Sequence, residues 1–513
     1  MSAVSPDDGA VLIGLDWGTS NLRVLRIGPN GTVLAARSDP RGAGALESEA
    51  FSRVLGEVAG AWLEEGLPVL ACGMVGARGK WREMPYLAAP ATLQDLAAGL
   101  ASPADRADVR LVPGLKTVAD GLMVDVMRGE ETQVMGLDLT PGLHRIVAPG
   151  THSKWITARP GEVLSCQTFM TGELFSAIRK GTILGAGMGE AGADAAAFAA
   201  GVRRALAEPA LTATLFSVRV ERLAGRLGDP AAADYLSGIL IGAEVATRMD
   251  DPQGPVTLVG TTALNDRYAT ALRIAGFSEV RTADGAAATA RGLWRIHEAS
   301  RMIRTLDTLP VIAILRGLNP AEAVAVGEAI VAAGLVCLEV PLNSPRPLES
   351  IRLLRAALDG RALVGAGTVL SVEAAQAVAD AGGQMIISPN TNPAVIRESR
   401  RLGLLSIPGF FTPSEAFAAL DAGADALKLF PAEVAGPQGL RAVRAVLPAE
   451  TRVYAVGGAS PEDVPLWTSA GASGFGVGSA IFKPGFAPAE VGARARAFAE
   501  AWISATDTRP GKP

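Results

Sequence analysis

The stretch DALKLFP, residues 425–431, sets a cation inside an apolar run, with Leu427, Leu429 and Phe430 around Lys428. Burial disfavours an ammonium ion and lowers the lysine pKa, which leaves a neutral nucleophile near pH 7. A neutral amine is what Schiff-base formation with a carbonyl requires. The same pattern also suits a lysine on an edge strand, its stem along apolar surface and its head in water. The surroundings favour catalysis. From residue 310 onward, short apolar strands alternate with helical stretches: PVIAILRG (310–317), VCLEVPL (336–342), LVGAGTV (363–369), MIISPN (385–390), LSIPGF (405–410), ALKLFP (426–431), RVYAVGG (452–458) and GFGVGS (474–479). Ala-rich amphipathic segments such as 320–333, 413–422 and 461–470 lie between them. Apolar strands separated by helices predict a parallel sheet covered on both faces, and eight such units in about 200 residues predict a (β/α)₈ barrel.

A barrel of this kind places its active site at the carboxyl ends of the strands. Polar residues cluster there. Arg316 closes strand one, Glu339 lies in strand two, Thr368 closes strand three and Lys428 lies in strand six. Gly457-Gly458 follow strand seven and Gly478-Ser479 follow strand eight, where bare backbone N–H groups can hold a phosphate. Any one of these residues has an ordinary structural use. Together, at the expected ends, they outline a site.

Residues 305–505 resemble the 2-dehydro-3-deoxy-6-phosphogalactonate aldolases, within the wider class I keto-deoxy-phosphosugar-acid aldolase family. The stretches IAILRG, LEVPLNSP, GAGTVL, LKLFP, AGPQGLRAVRAVLP and AVGG carry the resemblance. It implies that Lys428 is the Schiff-base lysine and Glu339 the acid/base. Arg316 and Thr368 would hold the pyruvyl carboxylate, and Gly457, Gly458, Gly478 and Ser479 the distal phosphate. It also implies a homo-oligomer, a trimer through the barrel, and no cofactor for this half. The EVPLNSP and AVGG forms stand closer to the galactonate branch than to the gluconate branch. The three histidines, His144, His152 and His297, all precede the barrel. A metal-dependent aldolase usually recruits imidazole ligands, so their absence from the barrel favours the lysine mechanism.

The first 300 residues have a different pattern. VLIGLDW (11–17) enters a Gly-Thr-Ser-Asn turn (18–21) and leaves as LRVLRI (22–27). The pattern recurs as HRIVAPG (144–150), a Thr-His-Ser turn (151–153) and KWITA (154–158). One such hairpin is usually an ordinary β-turn. Two, whose turns offer N–H groups and hydroxyls, suggest a duplicated fold that clasps a nucleotide between its lobes.

This part resembles the 2-dehydro-3-deoxygalactonokinases of the sugar kinase/Hsp70/actin superfamily. The stretches are LDWGTSNLR, ACGMVGARGKW, VMRGEETQ, APGTHSKW, MTGEL, SGILIGAE and VTLVGTTALNDRY, within about residues 10–297. The resemblance implies a duplicated actin-like (ribonuclease H-like) ATPase fold that uses ATP and Mg²⁺. Asp16 would position Mg²⁺ through water. Gly18, Thr19 and Asn21 would border the transferred phosphate, and Gly150, Thr151 and His152 would form the second phosphate loop. Gly260, Thr261 and Thr262 would lie near the nucleoside.

Phosphoryl transfer to a hydroxyl also wants a carboxylate to orient and deprotonate it. Related sugar kinases open a helix with a Gly-Asp pair in this role. Gly129-Glu130 stands in the corresponding place, with Glu130 as candidate base and Glu131 and Asp125 behind it. The bland alternative is that acidic residues suit the first turn of any helix.

A length of 513 residues allows two domains with full cores, 1–300 and 301–513. The joint between RGLWRIHEAS and LDTLPVIAIL is short and poor in Gly and Ser, and so reads as a terminal helix continuing into the barrel. Net charge is −5 without long like-charge blocks, which argues against nucleic acid or an anionic membrane surface as partner. Cys72, Cys166 and Cys337 are isolated, as suits a reducing cytoplasm. Mean hydropathy is +0.27, raised by Ala and Gly, and no apolar run reaches a membrane span. The opening MSAVSPDDGAV does not read as a signal peptide. GAGMGEAGADAAAFAAG (185–201) reads as a loop leading into a helix, and TDTRPGKP (506–513) as a disordered tail.

The function expected is a bifunctional enzyme of D-galactonate catabolism with small-molecule substrates. The first domain would phosphorylate 2-dehydro-3-deoxy-D-galactonate at its terminal hydroxyl, and the second would cleave the product to pyruvate and D-glyceraldehyde 3-phosphate. One alternative keeps both activities on the gluconate epimer. Another is a sugar-sensing regulator with a degenerate kinase domain, which would need a DNA-binding module that the roughly ten residues before the first strand do not supply.

Overall fold

The computed structural model describes residues 9–507, apart from 190, 192, 193, 209 and 250–253. The chain divides after His297 into two compact units. The helix Gly285–Thr308 runs through the point of division.

The first unit holds two larger sheets built on one plan. In the five-stranded sheet the order is Val33–Asp39, Leu22–Ile27, Leu12–Trp17, Val69–Gly73, Val109–Leu111. The first three form an antiparallel meander, and the last two continue parallel to Leu12–Trp17. In the six-stranded sheet Glu162–Phe169, Ser153–Arg159 and His144–Ala148 form the meander, and Val256–Gly260 and Val280–Asp284 run parallel beyond it. A short strand, Ala91–Thr92, is added at the meander's outer edge. Leu12–Trp17 is central because its side chains are apolar on both faces; Leu12, Ile13, Leu15 and Trp17 are wholly buried. Each sheet has its own core, one around Trp17, Phe51 and Trp81, the other around Trp155, Phe198 and Tyr268. A third sheet of Tyr86–Ala88, Gly114–Ala119 and Leu122–Met127 delivers the chain to the helix Glu130–Met135.

The second unit is a nearly closed parallel barrel. Its strands follow in sequence: Val311–Ile314, Cys337–Pro341, Leu363–Gly367, Met385–Ile387, Leu405–Ile407 with Gly409–Phe410, Leu427–Leu429, Val453–Val456 and Gly474–Val477. The last pairs with the first. LSIPGF, read as one strand, is two segments. Proline has no N–H to donate, so the ladder breaks at Pro408, with Leu405–Ile407 on strand four and Gly409–Phe410 on strand six. Several outer helices begin with proline after a capping residue, as in Asn319-Pro320, Asn392-Pro393 and Thr412-Pro413. At Thr412 the Glu415 carboxylate accepts from the cap's own N–H at 2.8 Å.

Of the two irregular segments, the tail is shorter than expected and the Gly/Ala-rich stretch leads into a helix as expected. The helix Pro488–Asp507 takes up the start of the 506–513 tail, and residues 508–513, like the opening residues 1–8, lie outside the described residues. In the Gly/Ala-rich segment a helix, Ala195–Ala207, begins at Ala195, and residues 190, 192 and 193 before it lie outside the described set.

Candidate active sites

In the barrel, register puts Glu339 and Lys428 on inward positions of strands two and six, 2% and 6% exposed. Burial pushes the Lys428 amine below its ordinary range; Glu339 pulls it back and Arg316 pushes it further down. Burial also raises the Glu339 carboxyl, opposed by the charges of Lys428 and Arg316. Burial thus pushes both groups toward their neutral forms while their mutual attraction favours the charged pair, in a place water barely reaches. The Lys428 ammonium position lies 4.9 Å from the Phe430 ring centroid, so an aromatic face flanks the nitrogen.

Strand three makes room for the acid. A β-carbon at Gly367 would overlap Glu339 Oε1. Thr368, the next residue, has φ +59°, a left-handed conformation uncommon for a β-branched residue and a mark of strain at functional sites. Arg316 lies in the turn after strand one, where its Nη1 donates to Asn343 Oδ1 at 3.1 Å, and Ser344 Oγ accepts from Gly317 N at 2.9 Å. Asn343 and Ser344, in the LNSP stretch, thus hold the arginine loop, a role that their place in a motif did not announce. Gly457 and Gly458 follow strand seven with φ +114° and +71°. The space a β-carbon would need at Gly457 is taken by the Glu433 carboxylate, so this turn meets an acidic side chain as well as offering bare N–H groups. Gly478 and Ser479 follow strand eight at the same end.

In the first unit, one cleft of about 510 Å³ gathers Asp16, Gly18, Thr19, Glu130, Gly150, Thr151, His152, Gly260 and Thr261 from both sheets. Asn21 and Thr262, expected with them, are not among its lining residues. Asp16 keeps 21% side-chain exposure at the cleft wall and pairs with Arg23 at 3.2 Å. Burial raises its carboxyl and Arg23 lowers it. Glu130 opens the helix Glu130–Met135; its Oε2 accepts from Arg128 N at 3.2 Å, and its Oε1 lies 3.7 Å from Lys154 Nζ.

The two carboxylates ranked behind Glu130 do not share its position. Glu131 is wholly buried, accepting from Gly129 N at 2.7 Å and Thr132 Oγ1 at 3.0 Å. Burial and the Glu130 charge push it up to about 7. Asp125 accepts from Thr168 N and Oγ1, both at 2.6 Å, and lines a separate cavity of about 690 Å³ with His144 and Arg145. That cavity contains neither hairpin turn.

Three cations in the cleft, Arg23, Arg128 and Lys154, were not singled out from sequence. Arg23 and Lys154 stand just after the two hairpin turns, so the repeat itself carried a signal. Lys154 also donates to His152 O at 3.2 Å, which ties the second turn to Glu130. Asn265 holds the third loop, donating to Gly260 O at 3.4 Å and Ala283 O at 3.1 Å.

Among the described residues no three His, Cys, Asp or Glu side chains form a metal-binding group. No helix is long and apolar enough to cross a membrane among those residues. The cysteines are free and buried.

The folds and sites define a two-headed enzyme, a kinase unit followed by a barrel lyase. Residues 16–296 match the model of the 2-keto-3-deoxy-galactonokinase family, and residues 301–490 match that of the KDPG and KHG aldolases. The chain belongs to both families. Its first part is 38% identical to the 2-dehydro-3-deoxygalactonokinase of Escherichia coli (strain K12), over 52% of this chain and 90% of that protein. Its second is 45% identical to the 2-dehydro-3-deoxy-6-phosphogalactonate aldolase of the same organism, over 38% of this chain and 96% of that protein. A crystal structure assigned to the 2-dehydro-3-deoxygalactonokinases, from Sinorhizobium meliloti, is 38% identical, covers 56% of this chain and 98% of its own, and superposes with a TM-score of 0.52.

Proposed function

We propose that this chain is a bifunctional enzyme of D-galactonate catabolism, with its kinase in residues 1–300 and its aldolase in residues 301–513. The kinase transfers the γ-phosphate of ATP to the C6 hydroxyl of 2-dehydro-3-deoxy-D-galactonate. The aldolase cleaves the 6-phosphate to pyruvate and D-glyceraldehyde 3-phosphate. The observation that carries the reading is the buried Lys428–Glu339 pair, on the same chain as a cleft bearing two phosphate-type hairpins. The phosphate added at one site is the handle bound at the other. The galactonate names of the relatives matched by both parts support that epimer over gluconate.

In the kinase the repeated sheet plan supports a duplicated actin-like, ribonuclease H-like fold. Glu130 takes the proton of the C6 hydroxyl as oxygen attacks the γ-phosphorus and the bond to ADP breaks. Glycine turns 18–19 and 150–151 face the phosphates. A single carboxylate beside the phosphate-type turns fits Mg²⁺, which keeps most of its ligands as water, so Asp16 would hold the ion through water and the ion would supply charge neutralisation for the transferring group.

In the aldolase the neutral Lys428 amine adds to the C2 ketone and water leaves, giving an iminium ion. Glu339 takes the proton of the C4 hydroxyl. The C3–C4 bond breaks, its electrons enter the iminium and the aldehyde departs. Glu339 then protonates C3 of the enamine, and hydrolysis frees pyruvate and Lys428. Arg316 and Thr368 hold the carboxylate; the turns at Gly457-Gly458 and Gly478-Ser479 hold the phosphate, with Glu433 turned aside. Exposed Leu370, Phe411 and Phe417 on the barrel unit suit burial in a homo-oligomer, and the free buried cysteines suit a reducing cytoplasm.

The test supplies the two epimeric keto acids with ATP and follows pyruvate. Release from the galactonate-derived acid is expected to dominate. Release from the gluconate-derived acid alone would overturn the substrate assignment.

A further inference from the structure

Arg128 lines the kinase cleft, and the reaction above gives it no work. It is 8% exposed. Its Nη2 donates to Met84 O at 2.8 Å, and its guanidinium carbon lies 4.4 Å from the Tyr86 ring centroid. Nε and Nη1 have no hydrogen-bond partner among the described residues. A buried guanidinium whose N–H groups find no protein acceptor is costly until water or an anion completes it. The fold nevertheless preserves its seat: a β-carbon at Gly76 would lie 2.7 Å from Nη1. Glu130, two residues on, does not pair with the guanidinium; its carboxylate turns to the Arg128 backbone N–H and to Lys154.

The ligand that would complete Arg128 is an anion entering the cleft. Planar guanidinium recognises carboxylate and phosphate alike. Position separates them. The hairpin turns at Gly18-Thr19 and Gly150-Thr151 carry the phosphate-type features, whereas Arg128 sits next to the base that must face the acceptor hydroxyl. From one backbone segment the two side chains diverge, Arg128 toward Met84 and Tyr86, Glu130 toward Lys154. An acceptor that is anionic at one end and hydroxylated at the other suits that divergence.

We propose that Arg128 forms the carboxylate subsite of the kinase, its guanidinium pairing with the C1 carboxylate of a 2-oxo acid while the far hydroxyl reaches Glu130. This rests on the kinase reading above. Selection for an acid over a neutral sugar would then reside in one buried cation with its place kept by Gly76 and by the Tyr86 ring beside it.

The test compares the keto acid with its neutral carboxamide as acceptors for the full-length enzyme. Wild type is expected to prefer the acid. Arg128→Met is expected to raise KM for the acid by about 30-fold or more, the low end for stripping one partner from a buried charged pair, with KM for the carboxamide and for ATP unchanged. Arg128→Lys keeps the buried charge and so the fold, but loses the planar fork; it is expected to recover only part of the preference. An unchanged acid preference in both variants, or a rise in the KM for ATP instead, would overturn the subsite. A wild type that phosphorylates acid and carboxamide equally would also overturn it while leaving the kinase reading intact. A wild type that phosphorylates neither would sink the kinase reading itself.

Discussion

Lys428 and Glu339 are each expensive to bury alone, and the attraction between them offsets part of that cost. Lys428→Met is expected to abolish cleavage and to leave phosphorylation in place. With pyruvate and borohydride, a reduced adduct should appear on the peptide containing Lys428; an adduct on Lys483 would show that the nucleophile lies elsewhere. In the kinase, Glu130→Gln is expected to slow phosphoryl transfer about 10²–10⁴-fold with little change in nucleotide affinity, as measured by single-turnover kinetics. Near wild-type turnover would remove Glu130 as the base. Glu131 has a different consequence. Its folded pKa of about 7 stands above the ordinary 4.5, so the folded state binds the extra proton between those values. Its contribution to stability is therefore full below pH 4.5 and lost as pH rises through about 7. Glu131→Gln should flatten the fall in the kinase unit's melting temperature across that window, and an unchanged slope would count against a titrating Glu131.

Elements position these groups through glycine contacts. The helix that begins at Glu130 packs on Gly285–Thr308 so closely that a β-carbon at Gly136 would overlap Ala288 O, and one at Gly292 would overlap Thr132 O. Gly136→Ala should destabilise the kinase unit by about 1–3 kcal/mol, the usual cost of overpacking, read from its thermal melt. In the barrel, Gly367→Ala would displace the Glu339 carboxyl. Misplacing a catalytic group by about 1 Å can cost 10²-fold, so cleavage should fall by about that factor while kinase turnover holds. Full cleavage activity would mean that Glu339 does not act from this position. The barrel's strands were legible because each is an apolar run bounded by turn residues. The break at Pro408 was legible only in part: its missing N–H is a local fact, but which neighbour each half joins depends on barrel closure.

At the scale of the molecule, the chain has two compact units, each with its own core and its own candidate site. Asp16→Ala is expected to remove ATP-dependent phosphorylation and spare cleavage of pre-phosphorylated substrate. EDTA should divide the activities the same way. A folded Asp16→Ala protein lacking both activities would count against independent sites, and an EDTA-sensitive aldolase would refute its metal-free mechanism.

Local pattern alone determined a great deal here. Strand period, turn chemistry and a lysine among apolar neighbours act within a few residues, so they can be read along the chain. That range covers the barrel, the repeated hairpins and the prominence of Lys428. Partner choice acts between distant segments and was decided only in three dimensions. Asp125, Glu130 and Glu131 are alike in charge and close in sequence, yet Thr168 engages the first, Lys154 lies near the second, and the third is buried. The Glu433 side chain against Gly457 and the idle N–H groups of Arg128 belong to the same class. A charged side chain takes its energy from whatever the fold sets beside it, and no spacing along the chain states what that will be.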